Sequence, residues 1–208
     1  MGAGKPKSLL EIGRFTIIQI QLAQIMRLAP EARVFLVSGN QSTRLNREAQ
    51  RHHPRIQFVV NHEWETTGTA RSLSLAAAIE GHERVMCLDG DVLVTDESFE
   101  EIFHADSDCI GIVRTFSDRP LSVELDPDGW CARIGTDFDS DYEFIGPSSF
   151  DRSLILRLGR KNISDGLPPF LPKRTIEVDG VEFDTSNDFL AATSWAESNQ
   201  IVSSLSTL

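Results

Sequence analysis

The chain has 208 residues, 40% hydrophobic and 25% charged, which suits one domain with a sizeable core. A formal net charge of −11 leaves no basic surplus to offset a phosphate backbone, so ordinary nucleic-acid binding is excluded. No apolar stretch approaches the ~20 residues that span a bilayer as a helix. The N-terminus does not read as a signal peptide.

The opening, Met1-Gly2-Ala3-Gly4-Lys5-Pro6-Lys7-Ser8, is rich in glycine and lysine and has no strand before it. A short apolar piece at 9–12 is closed by Gly13. Thr16 is placed to cap a helix running to about residue 28, with Ile17, Ile20, Ala23 or Gln24, and Met26 as an approximate apolar face. Pro30 ends it. Residues 33–38 predict a buried strand, 42–52 a polar helix, 56–60 a strand and 61–68 a loop. A helix over 69–80 turns Ala70, Leu73 and Ala77 inward.

The chain is organised around 85–94, Val-Met-Cys-Leu-Asp-Gly-Asp-Val-Leu-Val. Its apolar run predicts a strand buried on both faces of a parallel sheet. Asp89-Gly90-Asp91 interrupts that run. Two carboxylates are costly to bury without a cation or a full set of donors, so the turn reads as a metal-ligand turn. A solvated hairpin turn is the other use of Asp-Gly. Further elements follow as a helix near 99–103, a strand at 108–114, and a hairpin of 121–125 and 130–134 around Asp126-Pro127-Asp128-Gly129. A strand at 142–146, a helix near 153–158, a surface loop at 161–173, strands at 175–178 and 181–183, and a helix from 186 complete the pattern. Alternating strands and helices predict one α/β domain, a doubly wound mostly parallel sheet with an inserted antiparallel hairpin. Cys87, Cys109 and Cys131 are widely spaced and form no Cys-x-x-Cys pair, which predicts reduced, packed thiols in a cytoplasmic protein.

Four pieces stand in a recognisable order: Pro6-Lys7-Ser8-Leu9-Leu10-Glu11-Ile12-Gly13; Asn61 with Thr67-Gly68-Thr69-Ala70-Arg71-Ser72-Leu73; Leu88-Asp89-Gly90-Asp91-Val92; and Val181-Glu182-Phe183-Asp184-Thr185-Ser186-Asn187-Asp188-Phe189. Together they resemble the sugar-phosphate nucleotidylyltransferase superfamily, most closely its phosphocholine cytidylyltransferase-like branch. The resemblance implies a Rossmann-like fold and Mg²⁺-dependent transfer of a nucleoside monophosphate to a small phosphate monoester, with pyrophosphate released. CTP is the nucleotide it favours, and phosphocholine or a sugar phosphate the acceptor. It implies that Lys7 is the catalytic lysine meeting phosphate oxygens, and that Asp91 and Asp184 hold the metal. Asn61, Gly68, Thr69 and Ser72 would read base and ribose, with Asp89 beside the nucleotide, and Gly2 and Gly4 are what stands in place of the family's glycine-rich loop.

The chemistry of the residues agrees with this assignment. Joining two polyanions needs hard oxygen ligands for Mg²⁺ and a few cations. Gly68 and a helix start at Thr69 would offer N–H groups to anions. Each residue also has a plain structural use: Lys7 as an exposed lysine, Asp184 as a helix cap, Arg71 as a solvated residue, Trp64 as a packed loop residue, and His52-His53 as a surface pair. A glycosyltransferase using a nucleotide-sugar through Asp-x-Asp is the alternative enzyme, and an inactive nucleotide-binding domain the alternative non-enzyme.

In one respect the pattern is broken. Members of the superfamily begin with a buried strand feeding a Gly-x-Gly loop that carries an arginine. Here that strand is absent, and Met1-Gly2-Ala3-Gly4-Lys5 resembles a shortened stub of the loop without the arginine. This leaves open a sequence that starts late or a rearranged sheet. The sequence therefore predicts a groove or unpaired strand edge at the sheet centre, with 34–37 and 85–88 undercovered and prone to self-association.

Overall fold

The computed structural model describes residues 5–79, 83–183, 186–199 and 201. A 3-10 turn at Lys7–Leu9 precedes a two-stranded ribbon, β1 (Glu11–Ile12) and β2 (Phe15–Thr16), and α1 (Ile17–Leu28). Thr16 caps α1 as expected: its hydroxyl accepts from Gln19 N–H while the Gln19 side chain accepts from Thr16 N–H. Then come β3 (Phe35–Ser38), α2 (Ser42–His52), β4 (Gln57–Val60) and α3 (Thr69–Ala77). The central run divides into β5 (Arg84–Cys87) and β6 (Val92–Val94), followed by α4 (Asp96–Phe103) and β7 (Cys109–Arg114). The hairpin is β8 (Ser122–Leu125) and β9 (Cys131–Gly135). The rest is β10 (Tyr142–Asp151), α5 (Arg152–Ile155), α6 (Ile163–Gly166), β11 (Arg174–Glu177), β12 (Gly180–Glu182) and α7 (Ser186–Ser198).

The main sheet runs β11-β7-β10-β8-β9, with β5 also paired to β10. Because β10 opposes both β5 and β7, and β11 is parallel to β7, strands β5, β7 and β11 share one direction around a single reversed strand. The antiparallel hairpin hangs from β10 through Glu143 and Ser122. Residues 109–113 of β7 are all buried, so both faces of the sheet are covered. On one face Ala70, Ala77, Phe150, Leu154, Ile155, Ile163 and Leu167 pack together; on the other Val92, Phe99, Ile102, Cys109 and Ile176 do so.

The segment 161–173, expected to be a surface loop, contains α6 and a 3-10 turn, with Ile163 and Leu167 2% and 0% exposed. Its prolines and glycine suggested a loop, but two apolar residues four apart give it a buried side. His53 also departs from expectation: at the C-terminal end of α2 it is buried, while His52 is exposed.

Parallel strands β3 and β4 form a pair of their own, with no ladder to the main sheet among the described residues. Val34, Phe35, Leu36 and Val37 are consequently only half-buried, as are Val85, Met86 and Leu88. The expectation that β5 is buried on both faces fails for this reason, with Cys87 its only fully buried residue. The groove expected between the two runs is present: β3 and β5 line a common cavity of about 1290 Å³.

Candidate active site

The Asp89-Gly90-Asp91 turn joins β5 to β6 and is held from beneath by a glutamine. Gln21, on the buried side of α1, donates from Nε2 to the carbonyls of Asp89 (2.8 Å) and Val92 (2.7 Å). Gln24, one turn on, does the same for Val94 at 3.0 Å. Two buried glutamines three apart on an otherwise apolar helix face were the signal for this support, and only Gln24 entered the face read from sequence.

Gly146 makes room for the Asp89 side chain. It sits at φ +112° in β10, where the ladder to β7 shifts register, and a Cβ there would come 2.6 Å from Asp89 Oδ2. A bulge in the neighbouring strand thus accommodates a carboxylate of the central turn.

Lys7 reaches the same turn from the start of the chain. Buried Leu9 anchors its 3-10 turn, and Ser8 packs over Gly90, where a Cβ would lie 3.3 Å from Ser8 Cβ. Lys7 Nζ then donates to Asp91 Oδ2 at 2.8 Å, with the Lys7 side chain 40% and that of Asp91 19% exposed. From the far end of the chain, β12 pairs antiparallel with β6, and Phe183 N–H donates to the Asp91 carbonyl at 2.9 Å. Asp184, like Gly2 and Gly4, lies outside the described residues.

Lys7, Thr69, Ser72, Asp89, Asp91 and Glu182 line one crevice, continuous with the β3–β5 cavity. Asn61 and Gly68 do not line it. Asn61 is 2% exposed, and its amide donates to Thr67 and Ser72 hydroxyls at 3.0 and 3.2 Å while accepting from Glu63 N–H. It shapes the loop that presents Ser72. Gly68 N–H donates to the Arg160 carbonyl and Ala70 N–H to that of Lys161, at 2.9 and 3.0 Å. These two groups at the α3 terminus are therefore not available to anions, contrary to the sequence reading. A Cβ at Gly68 would come 2.4 Å from the Lys161 backbone, so the glycine serves close chain packing.

Arg71 is likewise engaged, since with Arg160 it grips Glu63 at 3.1 and 2.6 Å and holds that carboxyl below its usual range. Trp64 packs on Gly39 but remains 42% exposed. Glu143 was not singled out from sequence. It is 2% exposed, lines the cavity, and accepts from Phe116 and Ser117 N–H at 2.9 and 3.1 Å and from the Ser117 hydroxyl. Its signal is a lone carboxylate in an apolar strand, between Tyr142 and Phe144.

Asp89 and Asp91 offer hard oxygens to one crevice. No group of three His, Cys, Asp or Glu side chains is gathered as a metal cage among the described residues. Mg²⁺ takes one or two carboxylates plus waters and substrate phosphates, so this donor set fits that ion.

This architecture is the nucleotidyltransferase fold. HddC from Yersinia pseudotuberculosis superimposes with a TM-score of 0.75 at 16% identity, covering 93% of this chain and 91% of that one. HddC complexed with GMP-PN gives 0.72 at 15% identity, over 93% and 91% of the two chains. CTP:phosphocholine cytidylyltransferase (LicC) from Streptococcus pneumoniae gives 0.73 at 15% identity, over 92% and 90% of the two chains. The inositol-1-phosphate CTP transferase from T. maritima gives 0.75 at 16%, over 92% and 87%. No family model matches the sequence, and comparison with curated proteins finds no match.

Proposed function

We propose that the chain is a Mg²⁺-dependent nucleotidylyltransferase that transfers a nucleoside monophosphate, CMP in preference, to a small phosphate monoester such as phosphocholine or a sugar phosphate. The observation that carries this reading is the Lys7–Asp91 pair, 2.8 Å apart, at a carboxylate turn in the crevice of a nucleotidyltransferase fold. A glycosyltransferase has no need of a lysine on that carboxylate.

In the reaction an acceptor phosphate oxygen attacks the α-phosphorus of the triphosphate. A new P–O bond forms, the α–β bridging bond breaks, and pyrophosphate leaves with the electron pair. Lys7 places an ammonium where negative charge accumulates and orients Asp91 through their 2.8 Å contact. Asp91 and Asp89, with Asp184 by resemblance, would hold Mg²⁺, which supplies charge neutralisation and alignment of the phosphates. Ser72 and Thr69 line the same crevice with hydroxyls that accept from Asn61 and from Ile163 N–H, so each keeps its own proton to donate to the nucleotide. Asn61 acts through Ser72, and Gly68 through the close packing of its loop. Cytosine is favoured because the sequence pattern is nearest the cytidylyltransferase-like branch and two of the superimposed proteins are named as CTP enzymes.

No helix among the described residues is long and apolar enough to cross a membrane. With the three buried free thiols, this supports a cytoplasmic site of action.

Pyrophosphate release, measured with each of the four ribonucleoside triphosphates, phosphocholine or a sugar phosphate, and Mg²⁺, tests the proposal. CTP should give the highest kcat/KM. Preference for a purine nucleotide would move the chain to another branch, while hydrolysis of a nucleotide-sugar without pyrophosphate formation would favour the glycosyltransferase reading.

A further inference from the structure

The backbone of the Asp89-Gly90-Asp91 turn is held more tightly from outside than by its own hydrogen bond. Val92 N–H donates across the turn to the Asp89 carbonyl at 3.3 Å, longer than an ordinary N–H···O bond. The Gln21 amide donates to that same carbonyl at 2.8 Å and to the Val92 carbonyl at 2.7 Å. An amide nitrogen carries two hydrogens, so each carbonyl takes one and the donor is fully used. Phe183 N–H takes the Asp91 carbonyl at 2.9 Å. The carbonyls of Asp89, Asp91 and Val92 are thus all fixed by donors from distant segments, and a single side chain fixes two of them.

The surroundings of that side chain leave it no other use. Gln21 is 5% exposed on α1, among the buried Ile17, Ile18, Ile20 and Leu22. An amide is costly to bury there unless its hydrogens are bonded, so its place on the helix follows from the turn it serves. Gln21 also lines the crevice with Lys7, Asp89 and Asp91. Gln24, one turn on and equally buried, bonds in the same way to the Val94 carbonyl and Asp96, at 3.0 and 2.9 Å, but does not line the crevice.

We propose that Gln21 is a positioning residue for a divalent cation. By clamping the carbonyls that flank Gly90 and Asp91, it sets the directions in which Asp89 and Asp91 present their carboxylates. Mg²⁺ demands near-octahedral oxygens at about 2.1 Å, so a small rotation of the turn is felt in affinity. Gln24 fixes the strand beyond the turn and has no part in this. The inference rests on the reading of the turn as a metal site, not on the choice of nucleotide or acceptor.

The test compares Gln21→Met with Gln24→Met. Each keeps an unbranched side chain of similar length and removes a buried two-bond donor, so both should lower Tm by several degrees. Mn²⁺, used as the probe, is titrated into each chain without nucleotide, and the free ion is counted by electron paramagnetic resonance. Gln21→Met should weaken Mn²⁺ binding by about tenfold or more, and Gln24→Met by less than about twofold. Gln21→Asn, whose amide is one methylene short, should fold and fall between the parent and Gln21→Met.

Equal losses of Mn²⁺ affinity in the two Met variants would make Gln21 a structural residue and overturn the proposal. Gln21 variants that bind Mn²⁺ like the parent would overturn it too, as would a parent chain that binds none. Pyrophosphate release by the parent from CTP and a sugar phosphate is followed separately. Its absence beside the expected split in Mn²⁺ affinity would remove the proposed reaction and leave the positioning role of Gln21 standing.

Discussion

Lys7 and Asp91, 84 positions apart in sequence, are joined by a 2.8 Å hydrogen bond from ammonium to carboxylate. The pair fixes the charge of the central turn: one of its carboxylates is neutralised by a side chain that also faces the crevice. Under the proposed function, Lys7→Ala should lower kcat by about 10²-fold or more, in the range seen when one charge-stabilising donor is removed. With 40% of the Lys7 side chain exposed, Tm should move by only a few degrees. A variant that keeps wild-type turnover would return Lys7 to the role of a structural cation.

Metal dependence gives a second prediction. Chelation with EDTA should abolish pyrophosphate release, and Mg²⁺ should restore it. Asp91→Asn and Asp184→Asn should each weaken Mg²⁺-dependent binding of CTP in calorimetry by tenfold or more. Binding of CTP unaffected by either change would remove that residue from the metal site.

Gly146→Ala tests the bulge that accommodates Asp89. The new methyl would lie 2.6 Å from Asp89 Oδ2, at a φ of +112° that an alanine resists. A loss of about 2 kcal/mol or more is expected in denaturant unfolding, with activity falling as Asp89 shifts. If the variant is as stable and as active as the parent, Asp89 moves aside without cost.

Glu143→Ala should be among the most destabilising single changes. It would leave the part-buried N–H groups of Phe116 and Ser117 and the Ser117 hydroxyl without their acceptor. A cost of about 2–4 kcal/mol is expected from chemical denaturation. Glu143→Gln, which keeps an acceptor oxygen, should recover part of it.

Acid stability should reflect the clamp on Asp96, which receives hydrogen bonds from Arg27 at 2.7 Å and Gln24 at 2.9 Å. The Arg27 guanidinium, helped by Gln24, holds the Asp96 carboxyl below its usual range. The folded value lies below the unfolded one, so the unfolded chain takes up the proton first. The contribution is therefore complete above the unfolded value near pH 4, and is lost as pH falls through the folded one. Both groups are about a third exposed, so Asp96→Asn should cost no more than ~1 kcal/mol at pH 7. The difference from wild type should shrink below pH 4.

The buried thiols should be inert. Burial pushes Cys87 up to about 12 and Cys131 up to about 11, leaving almost no thiolate at pH 8. A thiol reagent should label the native chain far more slowly than the unfolded one, and rapid labelling of Cys87 would show that β5 opens readily.

Local pattern was enough to establish many of the elements. Thr16 as a cap, the polar run of α2, and the Asp126 to Gly129 turn each carry their instruction within a few residues, so their places were legible from sequence. The Asp89-Gly90-Asp91 turn was legible for a related reason: carboxylates in a β-branched run are costly unless something compensates them. What compensates them was not legible. Gln21 beneath the turn, Gly146 opposite Asp89 and Lys7 on Asp91 come from segments 68, 57 and 84 positions away, and only packing brings them together. The same applies to Gly68, at a helix start, whose N–H is accepted by the Arg160 carbonyl while the Lys161 carbonyl takes that of Ala70. The incomplete covering of β3 and β5 was foreseen only by comparison with a family pattern. The cavity between them is a tertiary fact, because a strand's hydrogen bonds are made to whatever lies beside it and not to its own sequence neighbours.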